Sequence, residues 1–202
     1  MKQAGQFWLP DDDTHFAPFA LAGTYQSKQL EAALRHVKRF GLAIDIGAHV
    51  GFFTRALGKR FEKVVAFEPQ PENFACLKKN RPDNAVLHNV ALGSRQCWGA
   101  LDTPKAENSG AWETKEMKYD NVELVPVMPL DTYDLAPDFV KIDVQGFEEH
   151  VLEGGRQTLL KHRPVILIEE NATNVNDGVL ILQSWGWRRA DKVNRDCVMV
   201  FE

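Results

Sequence analysis

The sequence predicts an α/β fold in which a mostly parallel sheet carries helices on both faces. Three observations lead there. Strand-like and helix-like segments alternate from Leu42 to Glu169. The strand segments are near-continuous apolar runs, as a sheet covered on both faces requires. The first strand runs directly into a glycine-bearing turn, as ligand-binding α/β sheets do.

Taken in order, Ser27 is the predicted N-cap of a helix over 28–40, where Leu30, Ala33, Leu34 and Val37 recur at helical spacing. Gly41 stops it. Residues 42–46 form the first strand, 52–61 a helix, and 63–67 the second strand, ending at Glu68 and Pro69. Pro71 opens a helix through Asn80, and 85–90 is the third strand. Residues 103–121 break the rhythm: only Trp112 and Met117 are strongly apolar, which predicts a long loop or lid. Within it, Asn108, Ser109, Gly110 and Trp112 are the lid contacts expected. Regular structure resumes over 122–128. A fourth strand covers 139–143, a helix 148–161, a fifth strand 164–169 and a helix 178–185. Residues 187–190 and 197–201 pair as a closing hairpin across Asn194 and Arg195. Right-handed crossovers place the parallel strand ends on one edge, where ligands bind. The expected organisation is one folding unit: an N-terminal segment, 1–40, covering that edge, then a domain over 41–202. Tyr25 and Gln26 are candidate contacts at the cover.

Composition narrows the partners. No apolar run approaches the ~20 residues that span a membrane, and the N-terminus lacks the apolar core of a signal peptide, so no membrane partner and a cytoplasmic location are expected. The net charge is −4 with no long basic run, which argues against a nucleic-acid partner. Cys76, Cys97 and Cys197 form no metal-binding or disulfide pattern, and core packing is expected of each.

The turn reads D-I-G-A-H-V-G over 45–51. Gly47 and Gly51 permit tight turns and close approach of a ligand to the backbone. The loop amides and the next helix start offer donors to an anion, and Asp45 offers a carboxylate to a cation. A ligand bearing both charges, as a methionine moiety does, suits such a site. Glu68, about twenty residues on, can accept both hydroxyls of a ribose. It specifies a nucleoside without specifying which. The G-x-G-x-x-G spacing of a pyrophosphate loop is missing, and no Tyr-x-x-x-Lys pair marks a carbonyl reductase.

The sequence resembles the FkbM-type methyltransferase family. The stretches that carry the likeness are DIGAHVGFFT (45–54), FEPQPENF (67–74), HNVALG (88–93), PLDTY (129–133), KIDVQGFEEHVLEGG (141–155) and PVILIEEN (164–171). The resemblance implies a Rossmann-like class I fold with a mostly parallel seven-stranded sheet and a C-terminal antiparallel hairpin. It implies S-adenosylmethionine as cofactor and, most often, methylation of a hydroxyl oxygen on a small-molecule or carbohydrate acceptor. Asp45, Gly47 and Gly51 would hold the methionine part, Glu68 the ribose, and Asn89, Val90 and Ala91 the adenine. Asp143 would face the reacting methyl. Ala48, His49, Phe52 and Pro69 complete the candidate cofactor contacts. The family usually has glutamate where this chain has Gln145, which hydrogen-bonds but does not ionise near neutral pH.

The cofactor carries the hard chemistry, and the protein must position the acceptor and manage its proton. Asp143, at the end of a buried strand on the ligand edge, is the first candidate for that task. Glu170 follows the fifth strand on the same edge, and His49 is a second candidate proton acceptor. Asp143, Glu170 and Asn171 also make an oxygen set suited to Mg²⁺, similar to the metal site of catechol-type O-methyltransferases, so the metal is carried as a hypothesis. The rival readings are a nicotinamide-dependent Rossmann oxidoreductase and a non-catalytic S-adenosylmethionine-binding module.

Overall fold

The computed structural model describes residues 1–23, 25–102, 122–170 and 178–202. A hairpin of β1 (Lys2–Ala4) and β2 (Phe7–Leu9) precedes helices α1 (Ala17–Ala22) and α2 (Ser27–Leu34). Alternation then begins with β3 (Leu42–Ile46), α3 (Phe52–Gly58), β4 (Lys63–Phe67), α4 (Pro71–Asn80) and β5 (Ala85–His88). Three strands follow: β6 (Ala91–Leu92), β7 (Cys97–Asp102) and β8 (Val122–Met128). The chain closes with β9 (Phe139–Ile142), α5 (Glu148–Gly154), α6 (Arg156–His162), β10 (Val165–Glu169), α7 (Gly178–Ser184), β11 (Trp187–Val193) and β12 (Asp196–Phe201).

The main sheet has seven strands in the order β11-β12-β10-β9-β3-β4-β5. Neighbours pair parallel except around β12, which runs against both β10 and β11. The mostly parallel sheet with a C-terminal antiparallel hairpin is therefore as expected. Alternate residues of each strand face opposite sides. Ile44, Ile46, Val140 and Ile142 pack on one face, and Ala43, Phe53, Phe139 and Leu167 on the other. The strand order reverses between β3 and β9, and that switch point is where a crevice opens in such sheets.

The structure moves several expected boundaries. The helix expected over 28–40 ends at Leu34, because the amides of His36 and Val37 turn to carbonyls three residues back and bring Val37 into the core. Gln26, in the left-handed region at φ 47, is its N-cap in place of Ser27. The helix expected over 148–161 is two helices. Gly155 breaks it, and the Asp131 carboxylate caps the second one by accepting from the amides of Gln157 (3.1 Å) and Thr158 (2.8 Å). The third strand stops at His88, since Asn89 turns to brace the end of β4. A second sheet has the order β6-β8-β7; β8 covers the 122–128 stretch expected to be regular, whereas β6, β7 and the N-terminal hairpin have no counterpart in the expected elements. Cys76 and Cys197 are buried as expected, whereas Cys97 is exposed on β7. The expected lid over 103–121, with Asn108, Ser109, Gly110 and Trp112, lies outside the described residues. Among those described, no helix is long and apolar enough to cross a membrane.

The second sheet is locked onto α5 through one glycine. A Cβ on Gly154 would sit 1.9 Å from the Gly93 carbonyl oxygen. Gly154→Ala is therefore expected to destabilise the protein by about 1–3 kcal/mol through overpacking. Urea unfolding should show a lower midpoint at an unchanged slope, and an unchanged midpoint would show that α5 moves freely.

Candidate active site

The turn after β3 is seated against the end of β9. Gly47 has φ 73, and a Cβ there would meet the Asp143 carbonyl oxygen at 1.9 Å, so only glycine fits. The amides of Gly47 and Ala48 both donate to the Phe67 carbonyl at 3.0 Å, that of His49 to Glu68 Oε2 at 2.7 Å, and that of Gly51 to the Ala48 carbonyl at 2.9 Å. These four amides close the turn on itself and on β4. The expectation that the turn would present them to an anion is thus corrected. Gly51, at φ 97, serves the packing of Leu77, whose Cδ1 would lie 2.7 Å from a Cβ.

A cavity of about 500 Å³ opens above this crossing. Glu68 lies on its wall and is buried, with Oε1 accepting from the Gln70 amide at 3.0 Å and Oε2 from His49. Burial raises its carboxyl to about 7, and the two amide hydrogen bonds only partly offset that. Pro69 stands beside it, and Val90, Ala91, Leu92 and Phe147 form an apolar wall. The N-terminal segment closes the other side: Phe16 lies against the His49 ring with centroids 4.5 Å apart, and Tyr25 against Phe52 at 4.9 Å. Asn80 ties the hairpin to the turn, since its amide group binds the Trp8 backbone and the Val50 carbonyl.

Beneath the turn lies a buried ammonium. Lys141 Nζ donates to the Gly47 carbonyl at 2.9 Å and stands 3.6 Å from Asp45 Oδ1 and 3.5 Å from Asp143 Oδ2. Burial opposes its charge, but the carboxylates of Asp143 and Asp45 more than reverse this and hold it above the ordinary lysine range. Asp45 is fully buried and accepts from Thr54 Oγ1 at 2.6 Å. Asp143 is partly exposed, and its Oδ1 accepts from Gln145 Nε2 at 2.8 Å. The turn at Gln145 and Gly146 is capped by Glu148, which accepts from the amides of Val144 and Gly146. Asp143 is thereby left facing the cavity.

The structure brings Gly47, Ala48, His49, Phe52, Glu68, Pro69, Val90, Ala91 and Asp143 to one cavity wall. Four predicted residues fall outside it. Asp45 points below the turn, because in β3 it shares the face of Ala43 that packs on α3. Gly51 packs on α4. The Asn89 amide donates to the carbonyls of Glu68 and Pro69, so it shapes the wall without forming it. Glu170 is held by Arg189 and Lys192, which keep its carboxyl ionised and occupied. That removes it as a base and as a partner of Asp143 for Mg²⁺. Among the described residues no group of three or more His, Cys, Asp or Glu could hold a metal, and Asn171 lies outside them. His49 also departs from expectation. Burial pushes its imidazole down to about 4, with Asp13 opposing only in part, so it is neutral and weakly basic near pH 7.

Lys141 is the residue that the motif reasoning passed over. Its signal was present: a lysine inside the apolar run of a buried strand is rare unless paired. Phe16 and Asn73 also line the cavity, and nothing in their local sequence marks them.

The family model described as the Methyltransferase FkbM domain matches residues 45–188. Among solved structures, methyltransferase FkbM from Methylobacillus flagellatus KT superposes with a TM-score of 0.55 at 19% identity, covering 98% of this chain and 56% of that one. The chain thus spans little more than half of that relative's length. A precorrin-6y C5,15-methyltransferase from Geobacter metallireducens GS-15 gives 0.51 at 14% identity, covering 87% of this chain and 86% of that one. The N-methyltransferase NodS from Bradyrhizobium japonicum WM9, solved with S-adenosyl-L-homocysteine, gives 0.51 at 12% identity over 95% of this chain and 91% of that one. At these identities the likeness establishes the fold. No curated protein matches the chain.

The neutral ring of His49 has a measurable consequence. Its folded pKa of about 4 lies below the unfolded value of about 6.5, so protonation favours unfolding. Its contribution to stability is present above pH 6.5 and is lost as pH falls towards 4. Nitrogen-15 NMR of the histidines should show His49 uncharged at pH 5.5, and an imidazolium there at pH 6 would contradict the burial argument.

Proposed function

The chain belongs to the FkbM methyltransferase family, and from that premise we propose that it moves the methyl group of S-adenosylmethionine onto a hydroxyl oxygen of a small molecule or sugar. The observation that carries the cofactor assignment is Glu68, a desolvated carboxylate on the cavity wall beside the glycine turn. Each of its oxygens accepts one backbone amide and keeps lone-pair capacity for a ribose hydroxyl. The wall of Val90, Ala91, Leu92 and Phe147 suits a flat purine. The closure that Gly47 permits leaves room for a ligand over β3 and β9. The residues present therefore fit the group.

When bound, the cofactor supplies an electrophilic methyl on a sulfonium, so no further activation of the donor is needed. The protein's task is to place an oxygen nucleophile and accept its proton. Asp143 is positioned for that work, facing the cavity with its carboxylate oriented by Gln145 on one oxygen and Lys141 near the other. Gln145 donates a hydrogen bond where a glutamate would bring a second negative charge. Glu170 and His49 take no part in the proton transfer, one being ion-paired and the other a weak base. The hydroxyl preference rests on the family resemblance together with a carboxylate at the strand end.

Glu68→Ala is expected to weaken S-adenosylhomocysteine binding at least tenfold, which is about 1.4 kcal/mol. Calorimetry measures this directly, and an unchanged affinity would place the ribose elsewhere. The same carboxyl makes binding pH-dependent. Ribose hydroxyls donate to its ionised form, so the product should bind more weakly as pH falls below about 7, towards tenfold per unit, with proton release on binding. A flat affinity between pH 6 and 8 would mean that Glu68 does not contact the ligand.

A further inference from the structure

We propose that Lys141 is the residue that binds the α-carboxylate of the cofactor's methionine end, an inference that rests on the S-adenosylmethionine reading above. Among the described residues it is the one lysine or arginine on the cavity wall. Four of the loop amides that the sequence offered for this task are engaged elsewhere. The amides of Gly47, Ala48, His49 and Gly51 all bind protein acceptors.

The ammonium itself has capacity left. Of its three donors, one makes a short hydrogen bond to the Gly47 carbonyl, while Asp45 Oδ1 and Asp143 Oδ2 stand at 3.6 and 3.5 Å. Asp45 Oδ1 is buried with no hydrogen-bond partner in the structure, so the pair is a loose one. Lys141 lies on β9 and Asp143 one residue past its end, and their contact places both towards the turn. An α-amino acid presents a carboxylate, and Lys141 offers the ammonium that meets it on the cavity wall. Charge also matches. Two carboxylates and one ammonium give the group a net −1, and a cofactor carrying ammonium, sulfonium and carboxylate is net +1. Its arrival brings the group to neutrality and lets the carboxylate meet Lys141 without leaving the two aspartates uncompensated.

The experiment compares S-adenosylhomocysteine with 5′-methylthioadenosine, which keeps the nucleoside and the sulfur and lacks the amino acid. Calorimetry on the unaltered protein should show S-adenosylhomocysteine at least tenfold tighter. Lys141→Gln should reduce that preference to within about threefold by weakening S-adenosylhomocysteine alone, and Lys141→Arg should restore part of it. A variant that loses affinity for both ligands equally, or for neither, overturns the proposal. Should Lys141→Gln fail to fold, the unaltered protein labelled with nitrogen-15 lysine decides the matter. The buried ammonium signal should shift with S-adenosylhomocysteine and stay in place with methylthioadenosine; an equal response to both, or none to either, overturns the inference. A protein that binds neither compound overturns the proposed function, and this inference with it.

Discussion

The site depends on one close crossing, where the backbone of Gly47 lies against the carbonyl of Asp143. Any side chain at Gly47 would push the turn off β9 and open the crevice at the switch point. With the contact made, the turn folds back onto β4 through the Phe67 carbonyl, and its next amide fixes Glu68. Lys141 underlies the same contact, bonded to the Gly47 carbonyl from below. Backbone fit, the orientation of Glu68 and the placement of Asp143 are thus three consequences of one steric constraint.

The charges around that crossing work against stability. Glu68 holds its proton up to about pH 7 because it is desolvated, and ionising it there works against the folded state. Lys141 and Asp45 are buried, and with the partly exposed Asp143 they form a group with an excess negative charge. Leaving one member of such a group without its partner typically costs about 3–5 kcal/mol, so the trio is also a structural joint between β3 and β9. A site in this state gains from a cationic ligand whose ribose hydroxyls and amino-acid charges complete it.

Much of the fold was legible because it depends on local pattern. β3 and β4 run over the residues that the apolar stretches predicted, Pro71 starts α4, and the closing hairpin turns at Asn194 and Arg195. What the sequence concealed depends on contacts distant along the chain. Gly154 and Gly155 read as helix interior until Gly93 and Leu130 are seen to press against them. β7 and β8 pair across the long interval 103–121, a separation at which local pattern does not specify the partner strand. At the cavity, Glu68 and Asp143 were legible as wall residues from their position after apolar strands. Asp45 was misplaced because a motif position was read without strand alternation, which puts its side chain on the α3 face with Ala43. Asn89 and Glu170 were legible as polar residues at strand ends, but their partners, the Glu68 and Pro69 carbonyls and Arg189 with Lys192, come from elsewhere in the fold.

The central claim is that the cavity between β3, β4 and β9 is an adenosyl-sulfur site. A crystal structure of the protein soaked with S-adenosylhomocysteine tests it most directly. The account predicts density for the ribose against the Glu68 carboxylate, the base along Val90 and Ala91, and the sulfur facing Asp143. Nucleoside density at any other place on the chain, with this cavity left to solvent, would contradict it.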